Sequence, residues 1–269
     1  MKKCIWLTVA GLCMVSMAAH ASIYSEDFSG YTTGEVPTVT SEINALVVDG
    51  SGTIGSGNAV QLTDPGTSGG LADKVVWLEQ NFATSDAGEY GAVSLSFDIY
   101  NNQIAGSSSV MIFGIGSYSD STSYTMNATA ARYFNLEFSS TAGSITVRDG
   151  TGSNLGSASY NLGASNHIEV FINDSETESV SYFDGTLAAN TFAVYVNGSL
   201  FEVNALGDSV LSSGESDGMG RFGFYSGTSP VDQFTIDNII VTNLVPEPAS
   251  FGLVFLGGFA VLIARKLQK

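Results

Sequence analysis

The chain has 269 residues and a formal net charge of −17 at pH 7, with 26 Asp and Glu against 9 Lys and Arg. Such an acidic surface repels nucleic acid, so we expect no nucleic-acid partner. Cys4, Cys13 and His20 all precede residue 22, which excludes disulfides, thiolate zinc sites, cysteine catalysis and two-histidine metal sites within the chain that follows.

Residues 1–21 have the three-part pattern of a secretory signal peptide. Lys2 and Lys3 precede an apolar run from about residue 4 to residue 18, and the segment closes on Ala19-His20-Ala21. The pattern predicts export, with cleavage between Ala21 and Ser22. The alternative is an uncleaved N-terminal anchor, for which the apolar run is short.

Residues 22–244 are predicted to form one all-β domain. In Val93–Ile99 the odd positions are apolar and the even positions polar, the period of a strand with one buried face. Similar runs lie at 110–115, 134–138, 145–148, 167–172, 192–196, 221–225 and 234–241. Asn197-Gly198 predicts a tight hairpin turn, and the stretch from Gly50 to Gly70 is interpreted as a long loop. The 31 glycines and the lack of a helical period favour an antiparallel two-sheet sandwich.

Three segments carry a resemblance to a known group of folds. They are the opening SEDFSGYTTGEVP at 25–37, the middle FAVYVNGSLF at 192–201 and the closing GRFGFYSGTSPVDQFTIDNIIVTNL at 220–244. Together they resemble the first, middle and last strands of concanavalin-like or laminin-G-like jelly rolls. The resemblance implies a jelly-roll β-sandwich with a structural calcium ion where the first and last strands meet, at Asp27 and Asp237, with Glu26 beside them. The alternative is that these carboxylates are ordinary strand-end residues.

Carbohydrate binding would require aromatic rings presented flat on a face or a loop, surrounded by Asn, Asp or Gly donors and acceptors. Trp77, Tyr118 and Tyr124 are the candidates in this chain, and burial in the core is the alternative for Trp77.

Motifs for catalysis are weak in this sequence. Gly66-Thr67-Ser68-Gly69-Gly70 matches a nucleophile elbow but lacks the following helix, and His167 is interpreted as a surface or interface residue. The carboxylates of 174–178 have no interleaved apolar residues, so they are interpreted as a solvated loop rather than a glycosidase pair. A non-enzymatic domain is therefore expected.

The last 25 residues form a distinct segment. Pro246-Glu247-Pro248 keeps the backbone extended, residues 249–264 are uncharged and mostly apolar, and Arg265, Lys266 and Lys269 follow. This order resembles the PEP-CTERM sorting signal. The resemblance implies a transmembrane helix at about 249–264, a transient place in the inner membrane and recognition by an exosortase-like enzyme. A plain tail anchor is the alternative.

These observations predict an exported protein of the cell surface, outer envelope or extracellular matrix. The expected function of its jelly-roll domain is to bind a glycan or extracellular polysaccharide without enzymatic activity. Two alternatives stay open: a secreted polysaccharide-active hydrolase on the same fold, and a purely structural matrix component.

Overall fold

The computed structural model of the protein describes residues 22–37, 45–55, 57–64, 76–84, 90–102, 110–117, 134–139, 142–149, 152–175, 177–205, 219–226 and 232–244. Within these ranges the regular secondary structure consists of β-strands alone. No helix among the described residues is long and apolar enough to cross a membrane. The predicted signal peptide 1–21 and sorting tail 245–269 lie outside these ranges.

The larger of two antiparallel sheets has eight strands, in the order β14-β13-β10-β5-β16-β3-β2, with β1 pairing with β16 beyond the end of β3. Its strands are β1 (Ser22–Glu26), β2 (Ala45–Asp49), β3 (Asn58–Asp64), β5 (Ala92–Asn101), β10 (Ser165–Asn173), β13 (Thr191–Val196), β14 (Ser199–Ala205) and β16 (Asp232–Asn243).

The smaller sheet has six strands in the order β4-β15-β6-β7-β8-β9. They are β4 (Val76–Asn81), β6 (Val110–Gly116), β7 (Phe134–Ser139), β8 (Ser144–Asp149), β9 (Asn154–Ser159) and β15 (Arg221–Ser226). A separate two-stranded hairpin consists of β11 (Val180–Tyr182) and β12 (Gly185–Leu187).

Successive side chains of each strand point to opposite faces of its sheet. The apolar side chains on the facing surfaces of the two sheets pack together into one core. Val93, Leu95, Phe97 and Ile99 of β5 are at most 1% exposed, while the alternate residues face away from the core. The Phe97 ring lies 4.9 Å from that of Phe113 on the smaller sheet. The predicted all-β antiparallel sandwich is therefore confirmed.

The predicted strands are all present, and the Asn197-Gly198 turn joins β13 to β14. Both turn residues have positive φ, 52° and 74°, as a type I′ turn requires. The interpretation of Gly50–Gly70 as one loop is wrong. β3 lies within it, because Val60 and Leu62 are fully buried and pair with β2 and β16.

Candidate functional site

The face of the larger sheet that points away from the core, here called the outer face, carries the polar side chains of its central strands. Because Phe97 and its alternate neighbours are buried, Ser94, Ser96 and Asp98 of β5 point to this face. The strand register then places Asp98 directly opposite His167 on β10 and Asp237 on β16. Three neighbouring strands thus bring ionisable groups to one point.

His167 and Asp98 form a close pair at this point. Nδ1 of His167 lies 2.6 Å from Oδ1 of Asp98, and the histidine side chain is 44% exposed. The hydrogen bond that Nδ1 of His167 donates to Asp98 raises the pKa of His167 above its ordinary value, and partial burial opposes this effect. The negative charges of Asp98 and Glu169 raise this pKa as well. The second ring nitrogen, Nε2, lies 4.0 Å from Oε1 of Glu169.

A β-bulge in β16 positions a hydrogen-bond donor for the second carboxylate oxygen of Asp98, Oδ2. The register between β16 and β5 shifts between Asp237 and Ile240, and Asn238 within the shift has φ of 52°. This left-handed conformation turns the Asn238 side chain toward Asp98, and its Nδ2 donates to Oδ2 at 2.7 Å. Both oxygens of Asp98 are therefore occupied, which fixes the carboxylate against the imidazole.

Asp237 is a carboxyl group with a raised pKa beside the pair. It is 7% exposed, and burial raises its pKa to about 6 against a hydrogen bond from the Asn238 backbone N–H. The negative charges of Asp98, Asp27 and Glu26 raise it further. Perturbed groups of this kind concentrate at functional sites.

A cavity of about 260 Å³ lies on the same face, and its lining does not include His167 or Asp98 themselves. Hydroxyl groups, one carboxylate and aromatic rings surround it. The residues that line it are Ser94, Leu95, Ser96, Glu169, Phe171, Tyr182, Phe183, Thr242 and Leu244. Glu169 belongs to both places, since its carboxylate lines the cavity and approaches Nε2 of His167.

The β11–β12 hairpin, here called the aromatic hairpin, forms one wall of the cavity with Tyr182 and Phe183. The Phe171 ring of the outer face lies 5.0 Å from Tyr182 and 5.3 Å from Phe183. The Tyr195 hydroxyl donates to Oδ2 of Asp184 at 2.7 Å, and burial raises the pKa of that tyrosine. The hairpin is thereby held against the sheet.

The predicted calcium residues lie close to this cluster. β1 pairs with β16 as the resemblance implied, and Asp27 is near enough to Asp237 to raise its pKa. Oδ1 of Asp27 accepts the Ser29 backbone N–H at 3.0 Å, and the hydrogen bonds from Ser29 lower the pKa of Asp27. The described ranges contain no group of three or more His, Cys, Asp or Glu suited to a metal ion. Calcium at Asp27 and Asp237 stays a prediction.

The predicted carbohydrate-binding aromatics lie elsewhere or outside the described residues. Trp77 is in β4 of the smaller sheet, and its side chain is not among those described. Tyr118, Tyr124 and the elbow-like 66–70 lie outside the described ranges, as do Ala21, Pro246, Glu247, Pro248, Arg265, Lys266 and Lys269. Within 174–178, Asp174 is 4% exposed, so the interpretation of that segment as wholly solvated is wrong.

Sequence reasoning missed the pairing of His167 with Asp98. Both residues are polar positions in strands that alternate between apolar and polar residues. The sequence therefore predicts that both side chains point away from the core. Their contact could not, because it depends on which strands are neighbours and in what register.

No family model and no curated protein matches the chain. Solved structures do match. The alginate lyase Aly36B, crystallised as a variant with an alginate tetrasaccharide, is 15% identical with a TM-score of 0.50, over 83% of this chain and 98% of the lyase. A carbohydrate esterase from the Shiga toxin-encoding bacteriophage phi24B is 16% identical with a TM-score of 0.48, over 84% and 100%. A GH131 β-glucanase domain from Podospora anserina is 13% identical with a TM-score of 0.45, over 81% and 85%.

The comparison with the lyase supports the jelly-roll fold and corrects one prediction. The expectation of a non-enzymatic domain is wrong as an inference from this fold, because the alginate lyase, matched over 98% of its chain, is an enzyme with the same fold. The error has a physical reason. The sequence argument against catalysis considers carboxylates that are close in sequence, as in 174–178, whereas a sheet assembles a site from several strands.

Proposed function

We propose that this chain is an exported carbohydrate-active enzyme that hydrolyses a polysaccharide on the outer face of its larger sheet. The observation that carries the proposal is the His167–Asp98 pair. Nδ1 of His167 is 2.6 Å from Oδ1 of Asp98, the histidine side chain is 44% exposed, and its Nε2 lies 4.0 Å from Glu169, which lines the cavity. An imidazole oriented by a buried or fixed carboxylate is an arrangement that transfers protons in enzymes.

The proposed step uses the imidazolium form of His167 as the acid. Nε2 donates its proton to the glycosidic oxygen while the bond from that oxygen to the anomeric carbon breaks. Water then adds to the anomeric carbon, and the proton that it releases restores the imidazolium. Asp98 stabilises the charged ring, and because it raises the pKa of His167, the acid form persists to higher pH.

The route to the site of action is part of the proposal. Residues 1–21 support export, and Pro246-Glu247-Pro248 with residues 249–264 and the basic terminus supports PEP-CTERM sorting through the inner membrane by an exosortase-like enzyme. An extracellular or cell-surface polysaccharide is then the substrate within reach.

The test measures release of reducing ends by the full-length chain from neutral, amine-bearing and acidic polysaccharides. The wild type is expected to cleave at least one, and His167→Ala is expected to lose about 100-fold or more of that rate, the usual effect of removing a general acid. Glu137→Gln is the matched control. It removes a 2.6 Å ion pair with Arg148 on the smaller sheet and leaves the outer face intact.

An equal rate in wild type and His167→Ala would contradict the role of the pair. No cleavage of any of the three polysaccharide classes by folded wild-type protein would contradict the enzyme itself.

A further inference from the structure

Phe183 is an exposed aromatic ring that the fold holds in a fixed place. It is 65% exposed, the highest value for a large hydrophobic side chain among the described residues. Its ring centroid lies 5.3 Å from Phe171, 5.7 Å from Tyr182 and 5.0 Å from Tyr195. These contacts restrain one part of the ring while the rest faces solvent, which is the arrangement of a stacking surface.

A buried amide anchors the aromatic hairpin at both flanks. Nδ2 of Asn173, which is fully buried, donates to the carbonyl of Glu178 at 2.8 Å before β11 and to that of Ala188 at 2.9 Å after β12. A two-stranded hairpin alone is marginally stable in water. The Asn173 bonds and the Tyr195–Asp184 bond therefore keep Tyr182 and Phe183 in position without a ligand.

The cavity at the foot of the hairpin has the size and polarity for a sugar. Its volume of about 260 Å³ is slightly below the roughly 300–1,000 Å³ of pockets for drug-sized ligands. One or two rings of a longer chain would fill it. The lining combines the polar residues Ser94, Ser96, Thr242 and Glu169 with the aromatic residues Phe171, Tyr182 and Phe183. This combination suits a pyranose, which has hydroxyl groups at its edge and an apolar face.

The charge around the cavity favours a cationic ligand. Glu169 lines it, and Asp98 and Asp184 lie next to it on the same face or hairpin. The imidazolium of His167, which pairs with Asp98 and lies 4.0 Å from Glu169, offsets one of these three negative charges, so the net charge stays negative. The two arginines among the described residues belong to the smaller sheet, where Arg148 pairs with Glu137 and Arg221 is 4% exposed. A partly enclosed carboxylate attracts an ammonium group and repels a uronate.

We infer that the aromatic hairpin and Glu169 form a binding subsite for an amine-bearing polysaccharide. One pyranose ring stacks on Phe183, and its ammonium group pairs with the Glu169 carboxylate. The inference names the substrate class of the proposed enzyme. That this substrate is cleaved rests on the proposed function. Binding at the subsite stands on the hairpin and cavity alone.

The test is calorimetric titration of the full-length chain with three hexasaccharides: glucosamine, N-acetylglucosamine and mannuronate. The glucosamine hexamer is expected to bind at least tenfold more tightly than the other two. Phe183→Ala is expected to weaken binding about fivefold to tenfold, in line with the energy of an aromatic contact. Glu169→Gln is expected to remove the preference for the amine over the acetylated sugar.

Leu200→Ala is the matched control, because Leu200 is 49% exposed on the edge strand β14 and does not line this cavity. Binding that is unchanged in Phe183→Ala, or a mannuronate hexamer that binds as tightly as the glucosamine hexamer, would overturn the inference.

The same variants separate this inference from the proposed function. His167→Ala is expected to bind the glucosamine hexamer and not to cleave it. Binding that depends on Phe183 without cleavage by the wild type would retain the subsite and refute the enzyme. If cleavage depends on His167 but Phe183→Ala does not weaken binding, the proposed enzyme would be retained and the subsite refuted.

Discussion

Asp98 is the residue on which the outer-face cluster depends, because its two oxygens bind groups from two different strands. Oδ1 contacts His167 on β10, and Oδ2 accepts from Asn238 on β16. Each partner reaches it through cross-strand register rather than through sequence proximity. Alternation in β5 predicts that Asp98 faces away from the core, but no local pattern predicts its partners.

Asp237 is expected to make stability depend on pH in the unusual direction for a carboxylate. Its folded pKa of about 6 is above the ordinary 3.8, so the folded state holds the proton more tightly and loses stability as pH rises from about 4 to above 6. Asp237→Asn removes this loss. In urea unfolding, its stability relative to wild type should improve by about 1–2 kcal/mol between pH 4 and pH 8.

Asp49→Asn is the control of opposite sign, because hydrogen bonds from Ser51 lower the pKa of Asp49 and its charge does not act on Asp237. Relative to wild type, that variant should lose stability as pH rises from below the folded pKa of Asp49 to above the ordinary value of 3.8. A difference between Asp237→Asn and wild type that does not change with pH would contradict the raised pKa of Asp237.

At the scale of elements, the bulge in β16 and the aromatic hairpin are the features that turn a plain sheet face into a site. The strands themselves follow from alternation and turn residues, as β5 and the Asn197-Gly198 hairpin show. β3 was missed because its apolar residues lie in a Gly- and Ser-rich context. The bulge at Asn238 gave no signal, since neighbouring strands determine where the extra residue is placed.

The conformation of Asn238 gives a prediction at this scale. At a φ of 52°, both variants lose the hydrogen bond to Asp98, but Asn238→Gly also removes the Cβ that the left-handed region disfavours, whereas Asn238→Ala keeps it. Asn238→Ala should therefore be less stable than Asn238→Gly by about 1 kcal/mol in denaturant unfolding. Equal stabilities would show that the left-handed backbone at 238 is not maintained in solution.

At the scale of the whole molecule, amino-acid composition and the alternation of apolar and polar residues predict the fold class. They do not predict whether the domain is an enzyme. A jelly roll supports both binding and catalysis, so the non-enzymatic expectation rested on missing motifs rather than on geometry. The net negative charge of −17 is also a property of the whole molecule. It argues against a nucleic-acid partner, and on the outer face it supports the proposed amine-bearing sugar.

Processing of the two termini is testable on the protein recovered from envelope and medium. Mass spectrometry of the intact protein should find an N-terminus at Ser22 and a C-terminus shortened near Pro246-Glu247-Pro248. A mature population that ends at Lys269 would refute sorting and leave a simple anchor. A retained Met1 would refute cleavage of the signal peptide.

The pH dependence of cleavage tests the central claim, that His167 held by Asp98 is the acid of a polysaccharide hydrolase. The rate should fall as pH rises through the raised pKa of His167, because the imidazolium is the donor. Asp98→Asn removes the interaction that raises this pKa and should move the fall to lower pH, while Asp27→Asn should leave it in place. A falling limb that Asp98→Asn does not move would contradict the claim.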